Sequence, residues 1–191
     1  KLILSPGAAP VRPPLEGIDS EGIFTLRNVN DTDRVKEYIE ENDVKRALIV
    51  GAGFIGLEMA ENLHEYGIQV SVVEMADQVM TPVDYEIATV VHQHFKSKGV
   101  GLHLQEAVTA FRPVEDGIDV VLKSGLVLQV DMVLLSIGVR PDVKLAREAG
   151  LEIGETGGIK VNEFLQTSHS DIYAVGDAIE FPNPVSGRPS L

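Results

Sequence analysis

The chain has 191 residues, of which 44% are hydrophobic and 24% charged, a balance that fills a core in one domain or one and a half small ones. A net charge of −13 disfavours nucleic acid and anionic membranes as partners, and the absence of cysteine excludes disulfides, thiolate metal sites and thiol nucleophiles within these residues. No apolar run approaches the roughly 18 residues that span a bilayer, and no signal-peptide pattern precedes the fold. A soluble, cytoplasmic protein is the expectation, and a start at Lys1 rather than Met points to a piece of something longer.

Residues 1–4, "KLIL", read as a short buried strand stopped by "SPGAAP". The Pro-rich stretch 10–20 is an extended connection. "IFTLRN" has strand character, and "DTDRVKEYIEEN" has an acidic, capping start with helical spacing of Val35, Tyr38 and Ile39. From Lys45 the pattern turns βαβ. "RALIVGAG" is a buried strand, "FIGLEMAENLHEYG" a helix ended by Gly67, and "IQVSVVEM" a second strand. Asp84 starts a helix closed at Gly99, and "VGLHLQ" is a third strand. Residues 107–131 are three short β runs broken at Asp116-Gly117 and Ser124-Gly125, both hairpin signals. "MVLLSIG" is a buried strand, "DVKLAREAG" a short helix, and β character returns at "IKV" and "DIYAVGD". The expected architecture is α/β: a Rossmann-like parallel sheet over 45–150 carrying an inserted three-stranded antiparallel meander. Its flanks, 1–44 and 151–191, read as strands of another sheet.

Gly51, Gly53 and Gly56 form G-x-G-x-x-G between a strand and a helix, within "GAGFIG" (Gly51, Ala52, Gly53, Phe54, Ile55, Gly56). The first glycine permits a tight turn, the second lets backbone approach a pyrophosphate, and the third lets the helix pack on the strand. The N–H groups and dipole at the helix start favour the phosphates. A bare match also describes a ligand-free packing turn, but this one has its strand, helix and returning strand. Glu74 ends that second strand, 23 residues after Gly51, where a carboxylate accepts both ribose hydroxyls. Met75, Ala76 and Asp77 offer no cation for a 2′-phosphate, so FAD and NAD fit and NADP fits poorly. Asp177 follows a strand and Gly176, a place suited to ribityl hydroxyls or, equally, to capping a helix.

"KLILSPGAAP", "GAGFIGLEMAE", "LLSIGVRPD" and "TSHSDIYAVGDA" occur in the order found in the pyridine nucleotide-disulfide oxidoreductases, which the chain resembles over most of its length. In that family an NAD(P) domain is inserted into an FAD domain. The resemblance therefore assigns 51–56 to NAD, and makes Ser5, Pro6 and Gly7 the outgoing edge of an FAD domain, with Gly176 and Asp177 on the returning one. It gives Phe54 the position of an aromatic that covers the flavin and swings aside for nicotinamide, where plain packing is the alternative. Glu58 matches a carboxylate near nicotinamide and flavin, or is a solvated helix residue. Ile137 and Gly138 match a loop whose backbone meets the nicotinamide end, or a simple strand-end turn.

Ser5-Pro6 and the tail "NPVSGRPSL" resemble the NADH oxidase, NADH peroxidase and coenzyme A-disulfide reductase branch. That branch implies a redox cysteine upstream, a homodimer, and CoA disulfide or a related small-molecule oxidant as substrate. The residues here would then be the NAD-binding portion, inactive alone. A flavin-dependent reductase of a ferredoxin- or rubredoxin-like carrier and a non-catalytic NAD-binding module are the alternatives. His92 and His94 point to different helix faces, and His64, His103 and His169 lack partners at ligand spacing, so no metal site is expected. Glu74 predicts that the intact enzyme turns over NADH faster than NADPH at equal concentration; comparable kcat/KM for the two would contradict that reading.

Overall fold

The computed structural model describes residues 1–191. Strands β1 (Leu2–Leu4), β2 (Ala8–Pro10) and β3 (Ile23–Thr25) precede helix α1 (Val29–Glu41). Then β4 (Arg46–Val50), α2 (Phe54–Glu65), β5 (Gln69–Glu74), α3 (Tyr85–Ser97) and β6 (Gly101–Leu104) alternate. A meander of β7 (Val108–Val114), β8 (Gly117–Leu122) and β9 (Val127–Val130) leads into β10 (Met132–Leu135). The remainder is β11 (Val139–Pro141), α4 (Lys144–Glu148), β12 (Ile159–Lys160), β13 (Ile172–Ala174), a 3-10 turn at Gly176–Ala178, β14 (Ile179–Pro182) and β15 (Pro189–Ser190). No helix is long and apolar enough to cross a membrane. The chain divides into two compact units, Pro10–Gly138 and Lys1–Ala9 with Val139–Leu191.

The larger unit is built on a five-stranded sheet in the order β3-β10-β4-β5-β6, parallel throughout. Its central strands are apolar without alternation because both faces are buried. Ala47 and Ile49 of β4, Val70 and Val72 of β5, and Met132 and Leu134 of β10 pack with Val35 of α1, with Leu57, Ala60 and Leu63 of α2, and with Ala88 of α3. The intervening Leu48, Val50, Val73, Val133 and Leu135 pack on Phe111, Val120, Leu122 and Val130 of the meander. The period of two thus sorts one continuous run into a helix face and a meander face. At the first hairpin Gly117 has φ +122, and a Cβ there would lie 2.4 Å from the Val130 carbonyl oxygen, so only glycine fits.

Four features differ from the sequence expectations. The strand at 23–25 belongs to the main sheet, hydrogen-bonding β10 with Ile23 opposite Val133, because Ile23 and Phe24 complete its two cores. Residues 10–44 therefore fold with the larger unit, whereas 139–150 fold with the smaller one, where Ala146 joins Ile159, Val161, Ala174 and Ala178. Helix α1 starts earlier than its acidic residues imply: Asn28 is the N-cap, and Asp31 closes a capping box from the third helical position. Finally, β1 is not buried. Leu2 and Ile3 are 52% and 66% exposed within residues 1–191, where β1 pairs in parallel with β13.

Asp131 clasps the amino-terminal ends of β4 and β10. Its Oδ2 accepts the backbone N–H groups of Lys45 and Arg46 at 2.9 and 2.7 Å, and Oδ1 accepts Arg46 Nε and Nη2 at 3.1 and 2.5 Å. Arg46 also donates to the Gln129 side chain and the Asp116 carbonyl, tying the meander to the sheet. Burial opposes ionisation of Asp131, but the Arg46 hydrogen bonds and the two backbone donors outweigh it and hold the carboxyl below its ordinary value. A carboxyl lowered in the folded state contributes stability above the ordinary aspartate range, and that contribution is lost as pH falls through the lower folded value. Asp131→Ala is expected to cost about 1–3 kcal/mol in equilibrium denaturation at neutral pH, a deficit that shrinks in acid. An unchanged midpoint would show the clasp to be idle.

Candidate functional site

At the end of β4 the chain must turn sharply into α2 while β10 lies against it. Gly51 has φ +101 and donates its N–H to the Val73 carbonyl at 2.8 Å. A Cβ on Gly51 would lie 2.3 Å from the Ser136 carbonyl oxygen, and one on Gly56 would lie 2.1 Å from the Gly51 carbonyl oxygen. Both glycines are therefore required by the fold itself. Gly53 is different: its φ of −76° suits any residue, and a Cβ there would meet nothing within 4 Å. The space that its missing side chain leaves is not used by this chain.

From β4 the chain moves outward through β5 and β6 on one side, while β10 and β3 lie on the other, so the glycine turn sits at the topological switch point. Leu57 N–H is the first to reach back to a turn carbonyl, that of Gly53 at 3.0 Å. The helix itself supplies no acceptors for Phe54, Ile55 and Gly56 N–H, and no side chain caps it. A cavity of about 430 Å³ runs along these strand ends, lined among others by Gly51, Gly53, Glu74, Glu106, Ile137 and Gly138. Orphan donors, open space at Gly53 and a cavity fit the phosphates of a dinucleotide.

Five of the residues picked out in the sequence thus share one cavity: Gly51, Gly53, Glu74, Ile137 and Gly138. Ala52 and Gly56 are buried behind it. Ile55 is exposed and does not line it. Phe54, 56% exposed, and Glu58 line a separate groove of about 360 Å³ between α2 and α3. Glu74 has a task the sequence did not reveal. Its Oε2 accepts the Ala52 N–H at 2.8 Å and its Oε1 the Ala76 N–H at 2.9 Å, so it braces the glycine turn. A carboxylate has about four acceptor positions, which leaves capacity for ribose hydroxyls.

In the smaller unit, β1 and β13 run parallel with Leu4 opposite Ala174, and Val175 N–H bonds the Leu4 carbonyl at 3.0 Å. Ser5–Pro6–Gly7 and Gly176–Asp177 therefore leave neighbouring strands at the same, carboxyl end, although 171 residues separate Ser5 from Gly176. Ser5, Gly176 and Asp177 are exposed. Asp177 is not a helix N-cap: that position is Val175, and no side chain caps the 3-10 turn.

Residues 1–191 match the profile of pyridine nucleotide-disulphide oxidoreductase. The chain belongs to that family. It is 41% identical over 191 residues to an NADH oxidase of Methanocaldococcus jannaschii, covering 100% of this chain and 42% of that protein. With an NAD(P)H sulfur oxidoreductase (CoA-dependent) of Pyrococcus abyssi it shares 36% over 188 residues, 98% of this chain and 42% of the relative. The crystal structure of reduced Bacillus anthracis CoADR-RHD superposes with a TM-score of 0.95 at 51% identity, covering 100% of this chain and 34% of that one. The chain thus spans about two-fifths of the length of the curated relatives it matches. The family's cofactors are FAD and NAD(P)H.

His92 has a structural partner. It is buried on α3, and its Nε2 accepts the Val79 N–H at 3.1 Å, which requires the tautomer protonated at Nδ1. Burial and then Lys96 lower its basicity against the opposing charge of Asp77. No group of three or more His, Cys, Asp or Glu is placed to hold a metal ion.

The three glycines generate a graded expectation. Gly51→Ala and Gly56→Ala, whose Cβ atoms collide with backbone oxygens, are expected to lose about 1–3 kcal/mol of stability. Gly53→Ala is expected to stay within about 0.5 kcal/mol of the parent. Chemical denaturation of the three variants checks the order, and an equal loss at all three would show that Gly53 too serves the fold.

Proposed function

We propose that this chain is the NAD-binding portion, with flanking flavin-domain segments, of a flavoprotein that passes hydride from NADH to FAD and on to a cysteine-based centre. The observation that carries this reading is Gly53 at the switch point: the fold leaves the space beside it unused, next to free helix N–H groups and the Glu74-braced turn. NADH supplies the hydride and FAD accepts it, chemistry that belongs to the cofactors.

The chain's own residues bind and orient. The N–H groups at the start of α2 take the pyrophosphate, and the remaining lone pairs of Glu74 take the adenosine ribose. Backbone at Ile137 and Gly138 receives the nicotinamide end. Phe54 and Glu58, which line the groove between α2 and α3 rather than the glycine-turn cavity, would contribute the aromatic and the carboxylate that the family resemblance implies for the flavin and nicotinamide. Ser5, Pro6, Gly7, Gly176 and Asp177 hold the flavin, with Asp177 accepting from its ribityl hydroxyls. The acceptor we favour is CoA disulfide or a related sulfur compound. Support comes from the names borne by two relatives, a CoA-dependent NAD(P)H sulfur oxidoreductase and a coenzyme A disulfide reductase.

The full-length gene product tests this directly. It is expected to purify yellow with bound FAD, to lose the oxidised-flavin absorbance on anaerobic addition of NADH, and to regain it with CoA disulfide. A colourless protein that binds NADH would overturn the flavoprotein reading. Recovery with a ferredoxin-like carrier but not with the disulfide would move the acceptor.

A further inference from the structure

Glu74 is not the only carboxylate at its end of the cavity. After β6 the chain reverses at Gln105, which takes φ +58. It then runs back beside the end of β5, where Gln105 N–H donates to the Ala76 carbonyl at 2.9 Å and Glu106 N–H to the Glu74 carbonyl at 3.0 Å. Two backbone bonds therefore fix Glu106 beside Glu74, and both residues line the same cavity. The Glu106 carboxylate is held in place: its Oε2 accepts the Ser124 N–H from the β8–β9 turn at 3.3 Å, while Lys123 N–H bonds the neighbouring Ala107 carbonyl. The Ser124 hydrogen bond, set against a smaller cost of burial, lowers its pKa, so it is ionised at neutral pH. No Lys or Arg lines the cavity, and Lys123 is exposed and makes no ion pair.

We infer that Glu106 is a second specificity-determining residue, which together with Glu74 excludes nucleotides carrying a 2′-phosphate. The inference rests on the dinucleotide reading of the cavity and adds to it. A 2′-phosphate brings about −1.5 to −2 charges at neutral pH. In this cavity it would meet two fixed carboxylates with no lining cation to receive it. Glu74 is also committed to the Ala52 and Ala76 N–H groups, so replacing it disturbs the glycine turn as well as removing charge. Glu106 bonds a peripheral hairpin, and its charge can be changed with the turn intact.

The test is calorimetric titration of the full-length protein with AMP and with adenosine 2′,5′-bisphosphate, which separates nucleotide binding from turnover. Glu106→Gln keeps an acceptor for Ser124 N–H while removing the charge; Glu106→Lys reverses it. The wild-type preference for AMP is expected to narrow by about tenfold in Glu106→Gln and further in Glu106→Lys. The narrowing should shrink as salt is raised, because it is electrostatic. A merely structural role would be rescued by Gln and would be insensitive to salt. Wild-type binding of AMP with a preference shifted less than about twofold in both variants would overturn the role of Glu106. No binding of AMP by the wild type would overturn the dinucleotide reading and this inference with it.

Discussion

The Ser136 carbonyl oxygen lies 2.3 Å from where Gly51 would carry a Cβ, and much of the larger unit depends on that approach. It is the point at which β4 and β10, neighbours in the sheet but distant in sequence, part company. The same turn brings Gly56 against the Gly51 carbonyl, so helix, strand and return strand are locked at one place by backbone contact alone. A side chain at either glycine would push the helix start away from the strand ends. The helix start, with N–H groups that have no acceptor in the helix, follows directly on Gly51 and Gly53, which line the cavity.

Around that point the sheet divides the work between its faces. The helix face, through Ala47, Ile49, Val70 and Val72, anchors α2 and α3 and so fixes the direction of the free N–H groups. The other face is covered by a meander rather than by helices, and its core residue Phe111 also lines the cavity floor. At the opposite end of the strands, Asp131 and Arg46 secure β4, β10 and the meander together. Carboxylates recur in this unit as braces for backbone: Asp131 for Lys45 and Arg46, Glu74 for Ala52 and Ala76, Glu106 for Ser124. With Glu74 and Glu106 the brace also sets the charge of the cavity.

Much of this was legible in the sequence because it is local. Continuous apolar runs ending in glycine gave the strands "ALIV" and "MVLL", and hairpin dipeptides gave the meander. What escaped was what depends on distant partners. The strand at 23–25 carries no mark of which sheet it joins; Ile23 and Phe24 are equally apolar in either. At the site, Gly51, Gly53, Gly56 and Glu74 stood out by spacing. Glu106 did not, although its place just after the third strand parallels that of Glu74 at the end of the second. The bracing role of Glu74 needed coordinates, since it depends on carboxylate oxygens reaching a turn 22 residues earlier.

The central claim is that the unused space at Gly53, with the free N–H groups of α2 beside it, is where a nicotinamide dinucleotide binds. Amide hydrogen exchange of the full-length protein with and without NADH tests it most directly. The account predicts slowed exchange at Phe54, Ile55 and Gly56 and at Ile137 and Gly138. Protection confined to the groove between α2 and α3, at Val91 and Phe95, with the glycine turn unchanged, would contradict it.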